Sequence, residues 1–347
     1  MTSPGPADAP PRVWVLVDPR AGTAAQALGI AERLGVPFLT VPLAWGPLAR
    51  LPIPWPSLLG LAAGARDAIR RTALAPAFAR VPPGWKPRIV GDWPALVLTA
   101  GRRSAPASRW LRRRGARTVH CMRPGVAAED FDLLVIGRHD RPRPAPNLVE
   151  ILGATHRLSP ARLAAARGER PDLAALPSPR VALLVGGGLK GRGMPPEDAA
   201  RLVPRTLARF PGATLLVTTS RRTGAAATRG VAAALAGHPH ELFRWGDAGP
   251  NPYAAFLAHA DAVVVTGDSV SMLSEACATA APVLVATREA GRHSALADDL
   301  RDAGLLWPIG DAGRARPHPP LDESGRVAAL IRDRFPGAFR PADPRPR

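Results

Sequence analysis

Residues 263–285 read VVVTGDSVSMLSEACATAAPVLV, two apolar strand segments joined by a turn and a helix. The flanking segments are rich in β-branched valine, as is typical of strands that are covered on both faces. The TGDS turn places Asp268 or Ser269 where a side chain can cap the helix that follows. A strand, a helix and a second strand in this order predict a βαβ unit, whose strands lie parallel in one sheet.

The same alternation of strands and helices runs along the whole chain and indicates an α/β fold with parallel sheets. Strands are predicted at 13–17, 38–41, 95–99, 118–122, 133–136, 181–185, 213–218, 243–245, 263–265 and 283–286. The length of 347 residues suggests roughly two domains. We predict a disordered lead-in at 1–11, an N-terminal domain at 12–175, a C-terminal domain at 176–310, and a helix with a tail at 311–347.

The charge and the cysteine content restrict the kind of protein this can be. The formal net charge is +18, and Lys86 and Lys190 are the only lysines among 46 basic residues. Such a charge attracts nucleotide sugars and acidic phospholipids. Nucleic acid is the weakest candidate, because no basic motif interleaved with aromatic residues is found. With Cys121 and Cys277 as the only cysteines, the sequence predicts neither a disulfide framework nor a thiolate metal cluster.

The hydrophobic pattern predicts a cytoplasmic protein that can also associate peripherally with the inner membrane. No apolar run approaches the ~18 residues of a transmembrane span, and MTSPGPADAPPR at the start lacks the apolar centre of an export signal. The Pro- and Trp-rich segment 45–71 leaves two interpretations open. Either its tryptophans form core beneath a loop, or they face a membrane with Arg66, Arg70 and Arg71 against anionic headgroups.

Three loops of the second half, each after a predicted strand, are suited to anions: GGGLKGRG, TTSRRTG and TGDSVSMLSE. In open α/β sheets ligands bind at the carboxyl ends of the strands. Glycines let the backbone approach a phosphate. The guanidinium fork of an arginine can clamp a diphosphate with two parallel hydrogen bonds, and an acidic residue one turn further into a helix can accept hydrogen bonds from ribose hydroxyls. Ordinary turns and caps would explain any one loop, but three together favour nucleotide binding. The candidate residues are Gly187, Gly188, Lys190, Ser220, Arg221, Arg222, Asp268, Ser269, Ser271 and Glu275.

Two loops of the first half offer candidates for the acceptor side of a reaction. AGRRSAP supplies Arg102 and Arg103, and Ser104 can cap the helix that begins near Pro106; a pair of solvent-facing arginines is the alternative interpretation. His139 and Asp140 follow the predicted strand 133–136, and histidine can act as a base near neutral pH. Neighbours in sequence rarely face one another, so a catalytic dyad between these two is not expected.

The motifs taken together resemble the "elongated mitochondria" family of mitochondrial fission proteins. The resemblance rests on VLTAGRRSAP, the HD after VIGR, LLVGGG, VTTSRRTG, NPYAAFLAHAD and VTGDSVSMLSEACATAAPV, and it covers about residues 13–306. This family, named from a plant fission factor, is widespread in bacteria, where it is described as glycosyltransferase-like. It is similar in turn to GT-B glycosyltransferases, which implies an α/β fold of two Rossmann-like domains that face a cleft, with a final helix near 325–335 that crosses back onto the first domain.

The resemblance also implies roles for individual residues. Gly187 and Gly188 would form the glycine loop, Ser269 and Ser271 the phosphate loop, and Glu275 would bind the ribose. Arg221 would neutralise the leaving diphosphate. Asp18 and Asp140 are the candidates by position for a catalytic base on the first domain, and the motif match does not choose between them.

The function that this resemblance implies is transfer of a sugar from a nucleotide diphosphate sugar, without metal or cofactor. A cell-envelope or lipid-linked acceptor is expected. A non-catalytic scaffold protein that keeps the fold and a sugar-nucleotide epimerase are the alternatives. The role of the plant factor in recruiting a dynamin-like GTPase is not carried over.

Overall fold

The computed structural model describes residues 12–43, 94–188, 193–287 and 290–339. The chain divides into two compact units. The first contains the chain up to Ile151, then Thr155–Arg157 and the chain from Glu323 onward; the second contains Leu152–Ala154 and Leu158–Asp322. The predicted lead-in, the segment 45–71 and Lys190 lie outside the described residues.

Each unit is a parallel α/β sheet with helices, and the strands and helices are numbered here along the described chain. The strands are β1 Val13–Val17, β2 Phe38–Pro42, β3 Leu96–Ala100, β4 Arg117–Cys121, β5 Leu133–Gly137, β6 Leu148–Ile151, β7 Arg180–Val185, β8 Thr214–Thr219, β9 His240–Phe243, β10 Ala262–Val265, β11 Val283–Val285 and β12 Trp307–Pro308. The helices are α1 Ala21–Leu34, α2 Ala105–Arg112, α3 Pro160–Glu169, α4 Pro196–Arg209, α5 Ala225–Ala234, α6 Tyr253–His259, α7 Val270–Ala276, α8 Arg292–Asp302 and α9 Glu323–Arg334. None of these described helices combines the length and apolarity that crossing a bilayer requires.

Within the described residues both sheets have six strands, in the order β2-β1-β3-β4-β5-β6 in the first unit and β12-β11-β10-β7-β8-β9 in the second. The predicted βαβ unit is confirmed, because β10 and β11 pair in parallel with α7 between them. Strand β7 shows why these strands are apolar throughout. Val181 and Val185 pack into one core cluster, whereas Ala182 and Leu184 pack into another. Since successive side chains point to opposite faces, the sheet is covered on both sides. The predicted α/β fold of two Rossmann-like domains is therefore confirmed.

Helix α9 belongs to the first unit. It is separated from Ile151, the end of the first long segment of that unit, by 171 residues that mostly belong to the second unit. Its apolar residues Val327 and Ile331 are fully buried in the same core cluster as Ile30 and Leu34 of α1. At its start, the Ser324 hydroxyl accepts a hydrogen bond from the backbone N–H of His156 at 2.9 Å and donates one to the His156 carbonyl at 2.8 Å. The last described helix thus completes the core of the first unit.

Several elements were not predicted, and α3 is one of them. It lies in the Ala-, Arg- and Pro-rich stretch 159–180, of which the end was predicted to be the linker, with the domain boundary near residue 175. In the structure Ser159 caps the helix by accepting from the Arg162 N–H at 2.9 Å, with a proline in the first turn. The second unit accordingly takes over at Leu158. Strands β6 and β12 and helix α8 were also absent from the prediction.

At Gly29, helix α1 lies close to the backbone of His156 in the first unit. Gly29→Ala is therefore expected to destabilise the first unit by about 2 kcal/mol through overpacking. A Cβ at this position would lie 2.1 Å from the His156 carbonyl oxygen, a backbone atom that cannot simply turn away. Urea unfolding monitored by circular dichroism measures the loss. Gly168→Ala is the matched control: its Cβ would meet nothing within 4 Å, and a helical Gly→Ala change is expected to stabilise by about 0.5–1 kcal/mol. Equal effects at both positions would contradict the interpretation.

Candidate functional site

The predicted nucleotide loops meet at one edge of the second sheet. Strands β10, β7 and β8 are neighbours, so the loops that follow them at residues 266–269, 186–188 and 220–224 lie side by side. Hydrogen bonds join all three: Gly186 N–H donates to the Thr266 hydroxyl at 2.8 Å, and Thr223 Oγ1 donates to the Val185 carbonyl at 3.0 Å. The structure therefore brings these sequence-predicted loops together.

Asp268 holds the three loops in place. It is 1% exposed, and its carboxylate accepts from the Gly187 N–H at 2.7 Å and from the Thr266 hydroxyl at 2.6 Å. The Arg222 guanidinium lies 3.3 Å from the same carboxylate. With these donors around it, the carboxylate faces inward. Asp268 is a loop-positioning residue in this structure, and it is Ser269 that caps α7.

The glycine loop owes its residue type to close backbone approach. A Cβ on Gly187 would lie 2.2 Å from the backbone of Arg222, and one on Gly188 would lie 1.8 Å from the Gly193 carbonyl oxygen. Any other residue at either position would push the loops apart. The Gly187 N–H already donates to Asp268, so it is not aimed at a ligand. These glycines shape the edge on which a ligand would lie.

The arginine pair of the second loop divides into two roles. Arg222 is bound to Asp268, whereas Arg221 is exposed. Ser220 is half-buried, and its hydroxyl lies 3.1 Å from that of Thr223, which is itself fixed to the backbone of β7. The two arginines therefore differ: the Arg222 guanidinium is paired with Asp268, whereas Arg221 makes no ion pair within the described residues.

Helix α7 carries the remaining candidates. Ser269 accepts from the Met272 N–H at 3.4 Å, and Ser271 is half-buried. Glu275 is also half-buried, and its Oε2 accepts a hydrogen bond from the Tyr253 hydroxyl at 2.9 Å. Burial raises the pKa of Glu275 to about 7, although the Tyr253 hydroxyl and the charge of Arg162 act in the opposite direction. Burial also raises the pKa of Tyr253 well above its ordinary value, and the neighbouring carboxylate adds to this. The Tyr253 hydroxyl therefore stays protonated and donates a hydrogen bond to a carboxylate whose pKa is about 7.

An exposed tryptophan lies at one end of this edge and was not among the predicted site residues. Trp245 is 60% exposed, and it follows β9, where the sequence had predicted the strand to continue to residue 245. Its backbone N–H donates to Thr219 Oγ1 at 3.0 Å. The chain turns here, because the Asp247 carboxylate accepts from the Arg244 N–H at 2.7 Å. The Trp-Gly-Asp sequence of this turn was the signal that could have revealed it.

A cavity of about 230 Å³ lies at the other end of the same edge, beside β11 and β12. Its polar lining comes from Thr287, His293 and Ser294 together with the charged residues Arg205, Asp298 and Arg301, and Trp307 supplies an aromatic wall. Gly267 also lines it and connects it to the phosphate loops, since the Gly267 N–H donates to Thr287 Oγ1 at 2.9 Å. Gly267 belongs to the predicted TGDSVSMLSE loop, but Thr287, His293, Ser294 and Trp307 were not predicted as site residues, since α8 and β12 were not predicted.

In the first unit, the candidates follow β1, β3 and β5; β1 and β3 are neighbours, whereas β4 lies between β3 and β5. Asp18 is buried, and its Oδ1 accepts from the Arg20 N–H at 2.8 Å. His139 is buried, and its Nε2 lies 4.0 Å from Asp140 Oδ2. At this separation the two side chains are not within hydrogen-bond distance of each other.

The AGRRSAP loop differs from its prediction at the serine. Ser104 is fully buried, and its hydroxyl donates backward to the Ala100 carbonyl at 2.7 Å. It makes no side-chain cap to α2, so the predicted capping bond is wrong. A serine that is 0% exposed also cannot contact an acceptor in this structure. Arg102 is exposed and Arg103 is half-buried, and these two remain the candidates of this loop.

Comparison with known proteins places these features in a family. A profile described as mitochondrial fission ELM1 matches residues 21–335. Mitochondrial fission protein ELM1 of Arabidopsis thaliana is 28% identical over 273 residues, which are 70% of this chain and 64% of that protein. The chain therefore spans a little under two thirds of the length of this relative.

Solved structures share the fold at low sequence identity. UDP-GlcNAc 2-epimerase from Neisseria meningitidis, bound to UDP-GlcNAc, has a TM-score of 0.54 at 11% identity, with 94% of this chain and 99% of that chain covered. MurG from Acinetobacter baumannii has a TM-score of 0.50 at 14% identity, with 93% of this chain and 100% of that chain covered. At such identities the likeness concerns the two-domain Rossmann-like fold alone.

Proposed function

The chain belongs to the mitochondrial fission ELM1 family, and we propose that its second unit binds a nucleotide diphosphate sugar whose sugar the protein transfers to an acceptor. One observation carries the proposal: an aromatic ring, loops suited to a diphosphate and a polar cavity lie in that order along one sheet edge. Trp245 follows β9, the loops follow β8, β7 and β10, and the cavity lies beside β11.

This order matches the order of groups in a nucleotide sugar. From β9 to β11 there are four strand spacings, or about 19 Å, a span comparable to an extended nucleotide diphosphate sugar. The base stacks on Trp245, since every base offers a π-face. The diphosphate lies near Ser220, Arg221, Ser269 and Ser271, and the ribose hydroxyls donate to Glu275. The sugar then occupies the cavity at Thr287.

The transfer itself forms one bond and breaks another. The acceptor hydroxyl oxygen bonds to the anomeric carbon, the bond from that carbon to the diphosphate breaks, and the hydroxyl proton passes to a base. Arg221 supplies positive charge for the departing diphosphate, which we propose in place of a metal ion. Asp18 and Asp140 of the first unit remain the candidate bases. A lipid-linked or cell-envelope acceptor is favoured by the net charge of +18, which attracts anionic surfaces.

Thermal unfolding against a panel of uridine, guanosine, cytidine, adenosine and thymidine diphosphate sugars tests the proposal. A ligand of the protein, present at 100 times its Kd, is expected to stabilise the folded protein by about 2.7 kcal/mol. Trp245→Ala is expected to lower the affinity for that ligand about tenfold through lost stacking, whereas Trp245→Phe keeps an aromatic ring and most of the affinity. Because Trp245 is 60% exposed, neither change disturbs the core.

The panel also separates the alternative functions. No stabilisation by any member would remove the nucleotide-sugar proposal and favour an interaction protein. Equal losses for Trp245→Ala and Trp245→Phe would remove the stacking role. If incubation with the bound sugar nucleotide alone yields an epimerised product, the protein is an epimerase of this fold and the transferase proposal fails.

A further inference from the structure

A cavity of about 380 Å³ in the first unit is lined almost entirely by charged residues. The residues that define it, here called the arginine cavity, are Arg109, Arg112, Arg113, Arg117, Asp130 and Asp132. Arg117 begins β4, and Asp132 immediately precedes β5. The cavity is therefore at the amino edge of the sheet, whereas Asp18 and His139 follow the carboxyl ends of its strands. It is separate from the site residues described above.

Asp132 fixes two of the guanidinium groups. It is 9% exposed, lies 3.2 Å from Arg112 Nε and 3.1 Å from Arg117 Nη1, and also accepts from the N–H and hydroxyl of Thr118. Four donors occupy the acceptor sites of this carboxylate. Although partial burial raises the pKa of Asp132, the Thr118 N–H and the two arginines hold it below its ordinary value. The two guanidinium groups are therefore held in place before any ligand arrives.

The cavity retains positive charge after these internal pairs are counted. Arg109 pairs with Asp130 at 3.0 Å, and Arg113 is exposed and makes no ion pair within the described residues. Four guanidinium groups and two carboxylates line the cavity, so its formal charge is two positive units. Each guanidinium has five N–H donors, of which Asp132 and Asp130 use only a part. The rest of the lining is Gly115 and Ala116, which gives an apolar ligand little to contact.

We propose that the arginine cavity binds a phosphate monoester dianion. Such a group carries the two negative charges that balance the cavity, and its oxygens match the paired donors of a guanidinium. Its source is either a soluble phosphorylated metabolite or the headgroup of a phosphatidic acid. The alternative explanation is that these arginines only offset the negative end of the α2 dipole, in which case no ligand depends on Arg113.

Phosphorus NMR of inorganic phosphate mixed with the full chain at low salt tests this proposal. Line broadening that saturates is expected with the wild-type protein. Arg113→Gln is expected to lower the affinity for phosphate about tenfold, which is the usual contribution of a hydrogen bond to a charged group. Arg113 is not bound to Asp132, so the variant keeps the network. Arg229→Gln, which removes an exposed arginine of the second unit, is the matched control and is expected to bind as the wild type does.

The outcomes are distinct. No saturable broadening, or equal binding by Arg113→Gln and Arg229→Gln, would overturn the proposal. A loss with Arg221→Gln but not with Arg113→Gln would assign the phosphate to the loops of the second unit and also overturn it. Sedimentation with phosphatidylcholine vesicles that contain phosphatidic acid then identifies the source. Vesicle binding that Arg113→Gln weakens and free phosphate competes away supports the lipid headgroup. Saturable phosphate binding without vesicle binding supports a soluble ester.

Discussion

Replacing Asp268 with alanine is expected to lower the free energy of unfolding of the second unit by about 3 kcal/mol and to abolish nucleotide-sugar binding. The Gly187 N–H and the Thr266 hydroxyl are buried donors that would lose their acceptor, and each such loss costs about 1–3 kcal/mol. Arg222 adds little to the loss, because its side chain is 40% exposed and water can replace the ion pair. Urea unfolding followed by circular dichroism measures the stability, and the thermal-shift panel measures the binding.

Asp268→Asn is the matched control. The amide keeps the shape and one acceptor oxygen, so about half of the loss is expected, with binding weakened and not abolished. If Asp268→Ala were as stable as Asp268→Asn, the three loops would be held by something other than this carboxylate. If Asp268→Ala folded with full stability and bound the ligand normally, the assignment of Asp268 as a positioning residue would be wrong.

Glu275→Ala is expected to lower the affinity for the identified nucleotide sugar about a hundredfold at pH 8, because two charge-assisted hydrogen bonds from ribose hydroxyls are lost. The wild-type affinity should also depend on pH. With the pKa of Glu275 at about 7, the carboxylate is largely ionised at pH 8 and largely protonated at pH 6. Hydroxyl donors need the ionised form, so affinity rises with pH and is about tenfold weaker at pH 6 than at pH 8. Calorimetric titration at several pH values measures this, and a nucleotide sugar has no terminal phosphate that titrates in this range.

Two variants show whether Glu275 is the titrating group. Glu275→Gln keeps the shape without the charge, so its affinity should be intermediate and independent of pH. Tyr253→Phe removes the donor that lowers the pKa of Glu275, so the midpoint of the profile should move to higher pH. A pH profile that survives in Glu275→Gln would assign the titration to another group, and an unmoved midpoint in Tyr253→Phe would remove the positioning role of Tyr253.

The strands were predictable because both faces of each sheet are covered. Short β-branched runs such as β10 have one stable environment, and the parallel pairing then places the loops after β7, β8 and β10 at one edge. Helix α3 was missed because alanine and arginine are common in linkers as well as in helices. Its capping serine, Ser159, is a helix-start signal in the sequence, but the linker-like composition of the segment obscured this signal.

The role of each polar residue at the edge was far less predictable than its position. Asp268 and Ser104 were predicted as helix caps or ligand contacts, yet both are buried with internal partners. One partner of Asp268 is Gly187, 81 residues away, and no local pattern shows that a side chain will be satisfied by so distant a group. Trp245 was taken as the end of a strand because an aromatic residue suits one, whereas the turn at Asp247 leaves it exposed.

The late return of α9 to the first unit has a consequence for biosynthesis. Ile331 and Val327 complete the core around Ile30 and Leu34, but they leave the ribosome only after the whole of the second unit has been synthesised. The first unit is therefore the earlier to be translated and the later to mature, an inversion of the usual N-terminal-first order. Until then α1 presents an uncovered apolar surface, which is the kind of nascent-chain segment that a chaperone holds.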